Sequence, residues 1–211
     1  MSLREDIIYE SMRLFSLKGY INTGINEIIE SVGSSKGGFY NHFTSKEELF
    51  YEVLSNAQKI WRNRVLDGLN QLNSPLEKVI RILENYCDRY LKDSDNFPGG
   101  CIFITFSVEL DDQHPQLMQE VNKGFVRVKD LLMRLLEESR ELGELKQDVN
   151  TDRVTELIFS GMIGSSVLFG VDKSTVALDR SINALIDFLN EVRNKENLLS
   201  KLQSKKSSTM N

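Results

Sequence analysis

Apolar residues recur at helical spacing along almost the whole chain, and that pattern excludes most architectures. Ile8, Met12 and Phe15 stand at i, i+4 and i+7. The period returns in Leu76, Val79, Ile80, Leu83, Tyr86, Cys87, Tyr90 and Leu91, then in Leu117, Val121, Val128, Leu132 and Leu135. It continues through Val154, Leu157, Ile158, Gly161, Met162 and Ser165, and closes with Ile182, Leu185, Ile186, Leu189 and Val192. Side chains at these offsets share one face of a helix, so each stretch has a face to bury. No segment shows the alternation of a half-buried strand. IFITFSV, at 102–108, is strand-like in composition, but a Pro98-Gly99-Gly100 start signal precedes it in an otherwise helical chain, and it reads as a buried helix. The fold class is all-α.

Glycine and proline divide the helices unevenly. Gly19, Gly24 and Gly33 cut the first forty residues into short pieces, whereas 46 to about 72 is expected to run as one long helix. Asn73-Ser74-Pro75 starts the next helix, His114-Pro115 opens another, and Gly143 ends it. The expected organisation is a head of short helices at 1–48, a connector helix at about 46–72, a larger helical domain at 49–196, and a Ser/Lys-rich flexible tail at 197–211. With 40% apolar and 27% charged residues in 211, the chain has the composition of a globular protein. No apolar run reaches membrane-spanning length and MSLREDIIYE lacks a signal-peptide pattern, so a cytoplasmic protein without membrane contact is expected. Two cysteines and two histidines without ligand spacing predict no metal site, and no cofactor motif is present. A net charge of -5 confines any nucleic-acid contact to a local patch.

The stretch SSKGGFYNHFTSKEELF, residues 34–50, supplies a candidate patch. Ser34 reads as an N-cap, yet Gly37 and Gly38 follow inside the first turn, each costing about 1 kcal/mol relative to alanine. Thr44 with Glu47, or Ser45 with Glu48, then has capping-box spacing for a new helix. Three short helices, with a tight turn at Val32-Gly33-Ser34, have the layout of a helix-turn-helix, whose second member enters the DNA major groove. The bare glycines allow the backbone to approach phosphates closely. Lys36, Tyr40, His42 and Lys46 supply donors on or beside that face, and Phe39 and Phe43 are expected beneath it.

The run GYINTGINEIIESVGSSKGGFYNHFTSKEELF resembles the N-terminal DNA-binding region of the TetR (tetracycline repressor) family of bacterial transcription regulators. Gly19, Ile28, Gly33, Ser35, Gly37, Tyr40, His42, Phe43, Lys46, Glu47 and Leu49 fall in register with its pattern. The resemblance implies phosphate contacts at Tyr40 and Lys46, and base or backbone contacts from Ser35, Lys36, Gly38 and Asn41 on the recognition helix. It also implies a polar contact from Asn26. Gly24 stands where the family usually has a helix-capping, phosphate-touching threonine, leaving Thr23, one position early, as the candidate for that DNA contact; Ile29 replaces a small alanine, and Ser34 an apolar residue.

The resemblance also implies a homodimer on double-stranded operator DNA, most often a repressor, released by a small molecule bound among the C-terminal helices. An apolar or aromatic effector suits the side chains available there: Trp61, Tyr86, Tyr90, Phe103, Phe106, Phe125, Phe159 and Met162. Cys101 opens a helix in a Gly-Cys pattern found in a subgroup of the family. A thiol at a helix N-terminus can be acidified, but a buried cysteine also serves as a small hydrophobe. For the dimer, Gly161, Gly164, Ser165 and Ser166 offer close approach, with Leu178, Ile182, Leu185, Ile186 and Leu189 as an apolar stripe. The competing reading is an all-helical small-molecule-binding protein or enzyme without a DNA role. No nucleophile motif, metal spacing or glycine-rich phosphate loop supports an enzyme.

Overall fold

The structure is a computed structural model that describes residues 2–110 and 114–195; the tail expected at 197–211 lies outside the described residues. Helix α1 spans Leu3–Lys18, α2 Ile25–Ser31, α3 Lys36–Tyr40 and α4 Lys46–Val65. Helix α5, Pro75–Asn85, continues as a π-helical stretch, Tyr86–Leu91. Then come α6 at Ile102–Glu109, α7 at Pro115–Glu141, α8 at Thr151–Asp172 and α9 at Thr175–Val192. IFITFSV is helical, as its context predicted. The described residues contain no strand beyond an isolated bridge between Leu145 and Arg193.

Local chemistry explains most boundaries. Ser2 and Glu5 form a reciprocal capping box at the start of α1. Ser35, not Ser34, caps α3: its hydroxyl accepts from the Gly38 N–H at 3.1 Å, whereas the Ser34 N–H donates back to the Ile29 carbonyl. The turn out of α2 therefore consumes Ser34. At α4, the Ser45 hydroxyl accepts from the Glu48 N–H, and the Glu48 carboxylate accepts from both the Thr44 N–H and its hydroxyl. These two Thr44 bonds hold the Glu48 carboxyl below its ordinary range.

Helix α4 stops earlier than the sequence predicts. It ends at Val65; Gly68 then takes a left-handed conformation, φ 76°, and only a single 3₁₀ turn, Leu69–Gln71, follows. The buried Asn85 side chain accounts for the break. Its amide donates to the carbonyls of Val65, at 3.1 Å, and Asp67, at 2.9 Å, tying the frayed end of α4 to the end of α5.

Helices α1 to α3 fold over the first half of α4, closing around Ile7, Met12, Phe15, Ile28, Phe39, Phe43, Leu49 and Phe50. The remaining helices pack α5 on α7 and α9, and α8 between α7 and α9. Helix α6 touches α1, α7 and α8 and joins the two packings. Its Phe106 is fully buried, with its ring 6.1 Å from Phe15 and 4.8 Å from Phe50. The 93–100 loop lies directly on α1: a Cβ at Gly99 would strike the Ser16 carbonyl, and Tyr9 and Arg13 both donate to the Asp95 carbonyl.

Replacing Asn85 by alanine strands two carbonyls at the end of α4, and the expected loss is about 1–3 kcal/mol. Urea unfolding should show a lower midpoint with an unchanged slope.

Candidate nucleic-acid interface and effector cavity

Helix α3 has only five residues, and the packing beneath it decides which of them face outward. Phe39 and Phe43 are completely buried, their rings 5.7 Å apart, with the Arg4 guanidinium 5.3 Å from the Phe43 centroid. Anchored in this way, α3 leaves Ser35, Lys36, Gly37, Tyr40, Asn41 and His42 exposed together, with Tyr40 53% exposed. Asn26, near the start of α2, is also exposed. The two glycines differ. A Cβ on Gly38 would collide with Ser34 and reach Leu3 at 3.4 Å, so that position serves close packing on α1. A Cβ on Gly37 would meet nothing closer than the Ser35 hydroxyl at 3.8 Å, so this glycine borders open space.

Thr23 departs from expectation. It is fully buried, and its hydroxyl donates to the Gly19 carbonyl at 2.7 Å. It closes the α1–α2 turn and has no surface to present to DNA. The nearby acidic residues are partly neutralised: Lys18 pairs with Glu27, Thr44 holds Glu48, and the Tyr51 hydroxyl donates to Glu47 at 3.4 Å.

Lys46 is half-buried beside the same turn. Its ammonium donates to the Ile21 carbonyl at 3.3 Å and lies 4.4 Å from the Tyr20 ring centroid. Burial lowers its pKa, and the nearby Glu109 charge opposes that shift. Glu109, at the end of α6, accepts from the N–H groups of Tyr20, at 2.6 Å, and Ile21, at 2.8 Å. Gly19 adopts φ 83° and lacks the Cβ that would strike this carboxylate. Nothing in the local sequence around Glu109 signals this contact, because its partners are backbone groups nearly ninety residues away.

A cavity of about 160 Å³ lies between α4, α6, α7, α8 and the π-helical stretch. Trp61, Tyr86, Cys101, Phe103, Phe125 and Met162, all expected as effector contacts, line it. Tyr90, Phe106 and Phe159 do not. Tyr90 sits behind Cys101, its hydroxyl 3.4 Å from the thiol; Phe106 belongs to the junction with α1 and α4; Phe159 packs edge-on against Phe125 at 6.1 Å. The rim adds Gln58 and Arg62 from α4 and Arg127 from α7, which periodicity among apolar residues could not flag.

Cys101 is the N-cap residue of α6 and is buried. Burial pushes its thiol up; hydrogen bonds with Tyr90 and the backbone of Ile104 and Phe103 oppose this without reversing it. The resting group is a thiol, contrary to an acidified helix-end cysteine. Cys87, 3.3 Å from the Asp179 carboxylate, is pushed up to about 12 by burial and by that bond. Cys87, Asp88 and Asp179 bring three possible metal-ligand atoms within 4.8 Å of one another, but the Lys92 ammonium already bridges both carboxylates at 2.7 Å.

The expected dimer stripe mostly faces inward. Leu178, Ile182 and Leu189 are buried in the subunit's own core, and Ile186 is half-buried. A Cβ on Gly161 would strike Leu185, and the buried Ser165 donates to the Gly161 carbonyl at 2.7 Å. These small residues let α8 approach α9 within one subunit. Gly164, the other expected close-approach glycine, does face outward, and around it lies a second stripe on the outer side of α8 that sequence reasoning did not assign to the dimer: Leu157, Val167, Leu168 and Val171, with Val176 following on α9. Val171 is 80% exposed and Leu168 61%. The offsets 157, 164, 168 and 171 are legible as a helical face once the inner face is assigned. Contrary to the expectation that no apolar run reaches membrane-spanning length, α8 is by length and composition apolar enough to cross a membrane, with a mean hydropathy of 1.6 over 18 residues. Its inner face is committed to the protein core.

Residues 7–53 match the family pattern for bacterial regulatory proteins of the tetR family, and residues 75–185 match the tetracyclin repressor-like C-terminal domain. The HTH-type transcriptional repressor DhaR of Mycobacterium sp. (strain GP1) is 22% identical over 187 residues, covering 89% of this chain and 92% of that protein. The HTH-type transcriptional regulator LmrA of Bacillus subtilis (strain 168) is 31% identical over 109 residues, covering 50% of this chain and 58% of that protein. A crystal structure of a TetR transcriptional regulator from Chloroflexus aurantiacus J-10-FL superposes with a TM-score of 0.82 at 26% identity, covering 90% of this chain and 96% of that one. The two patterns meet the helix-turn-helix head and the helical domain behind it in the order the structure displays them, and the chain belongs to the TetR family of DNA-binding transcription regulators.

Proposed function

We propose that this regulator is a cytoplasmic homodimeric repressor without catalytic activity, that it binds a palindromic operator through α3, and that a small apolar or aromatic effector releases it. The observation that carries this reading is the exposed cluster on α3, where Ser35, Lys36, Gly37, Tyr40, Asn41 and His42 face outward over a locked Phe39–Phe43 base. On this reading the head at 1–48 reads DNA, and the domain at 49–196 holds the effector and the second subunit. Asn26, Lys46 and the Gly38 backbone lie beside the groove-facing cluster. Lys46 and Tyr40 reach phosphates, and Gly37 keeps the backbone low against the groove.

Release follows from α6. One end of this helix, Cys101 and Phe103, forms cavity wall, and the other, Glu109, grips the α1–α2 turn. An effector that fits the cavity better when α6 is displaced pulls on Tyr20 and Ile21 and changes the spacing of the two heads. Only such a difference in affinity between the two arrangements can shift the equilibrium.

The second subunit docks on the outer α8 stripe. Leu157, Val167, Leu168 and Val171 lie on one helix face, and nothing stands within 4 Å of where a Gly164 Cβ would be, which permits close helix approach.

An operator selected from random-sequence duplex tests the DNA-binding face. Lys46→Ala should weaken binding and reduce the log-log salt slope by about 0.9 for each phosphate that a subunit ceases to neutralise, whereas Tyr40→Phe should weaken binding at an unchanged slope. Failure to enrich any duplex at moderate salt overturns the reading. Gly37→Ala should stabilise the head by up to about 1 kcal/mol in thermal unfolding while lowering operator affinity. Leu168→Glu, at an already exposed position, should yield a folded monomer by sedimentation, with operator binding sharply reduced.

A further inference from the structure

The cavity is apolar inside but cationic at its rim. Tyr86, Cys101, Phe103 and Met162 form its depths, whereas Arg62 on α4 and Arg127 on α7 supply the charged part of its lining. Among the described residues, no acidic side chain lines it. Arg62 and Arg127 are exposed, and neither has a side-chain hydrogen bond or ion pair among the described residues. Arg4, Arg13, Arg64, Arg81, Arg89 and Arg193, by contrast, pair with carboxylates. Across the cavity, the Gln58 amide of α4 lies 3.8 Å from where a Gly124 Cβ on α7 would stand, and Arg62 and Arg127 line the same cavity from these two helices.

Resting on the effector-release reading above, we infer that the natural effector is an anionic amphiphile whose apolar or single-ring body fills the cavity and whose carboxylate is held between Arg62 and Arg127. Guanidinium groups bind carboxylates through paired, charge-assisted N–H donors, which an amide or alcohol headgroup does not match. The size agrees with the body: a dry cavity of about 150 Å³ in another protein accepts benzene. The charge agrees with the site, because among the described residues the cavity lining carries two cationic side chains and no acidic one. The joining has a direction. Arg62 sits near the far end of the helix that begins at Lys46, so a carboxylate bridging Arg62 to Arg127 ties α4 to α7 at the end remote from the DNA head.

The test uses a matched pair of probes, 4-phenylbutyrate and its neutral amide, titrated by calorimetry and by the fluorescence of Trp61, the single tryptophan, which lines the cavity. The acid should bind at least about tenfold more tightly than the amide at low salt, with the preference shrinking as ionic strength rises. Arg62→Gln combined with Arg127→Gln should bring the ratio to about one while leaving amide affinity within about twofold. Equal binding of acid and amide by the wild type overturns the inference, as does equal weakening of both probes in the double variant. No binding of either probe at millimolar concentration also overturns it. Operator release, measured with the same probes, separates this site from the reading on which it rests. Selective acid binding without release leaves the anion site standing and removes the effector response. Release by acid and amide alike does the reverse.

Discussion

The contact on which the architecture turns is a single carboxylate holding two backbone N–H groups. Glu109 reaches from the end of α6 to Tyr20 and Ile21, and it can do so because Gly19 has no Cβ and occupies a left-handed conformation that other residues rarely adopt. Lys46 holds the other side of the same turn, through the Ile21 carbonyl and the Tyr20 ring. The beginning of α4, the end of α1 and the end of α6 therefore meet at one place, which ties α6 to the head. The 93–100 loop reinforces this from the opposite end of α6, where Gly99 is packed against the backbone of α1.

Along α6 the aromatic side chains divide between two tasks. Phe103 closes the cavity, and Phe106, three residues on, fills the seam between Phe15 and Phe50. Ile102, Phe103 and Phe106 are all buried, so this short helix is held by both packings, with Val108 turned out to solvent. The π-helical stretch before it has a related effect: Tyr86 and Tyr90 stack with ring planes only 21° apart, yet Tyr86 lines the cavity and Tyr90 is sealed behind Cys101. Burial of the thiol removes the water that would stabilise a thiolate, and neither the helix end nor the Tyr90 hydrogen bond reverses that upward shift.

Helix α8 carries apolar residues on two faces with different partners. The inner one, with Val154, Ile158 and Met162, belongs to the core. The outer one, with Leu157, Leu168 and Val171, remains open in the isolated chain, and burying it against a second copy would give the helix an apolar surrounding on both sides. The high overall hydropathy of α8 reflects these two demands on one helix.

Composition and periodicity determined the fold class, the order of short helices before long ones, and most helix starts, because these depend on interactions within a few residues: caps, prolines and i to i+4 faces. The outward set on α3 was legible for the same reason, since two aromatic anchors four residues apart dictate which side turns away. Tertiary structure alone decided the rest. Thr23 is an ordinary polar residue in sequence and a buried turn clasp in space. Ser34 and Ser35 are equivalent as caps until the turn out of α2 claims one of them, and α4 ends where Asn85, twenty residues on, reaches its carbonyl. The apolar stripes of α8 and α9 were visible as stripes, but periodicity does not say which of two faces meets the subunit's own core. Glu109, Arg62 and Arg127 were invisible as a set for the most basic reason: a charge in a sequence has no partner until folding brings one near or leaves it without.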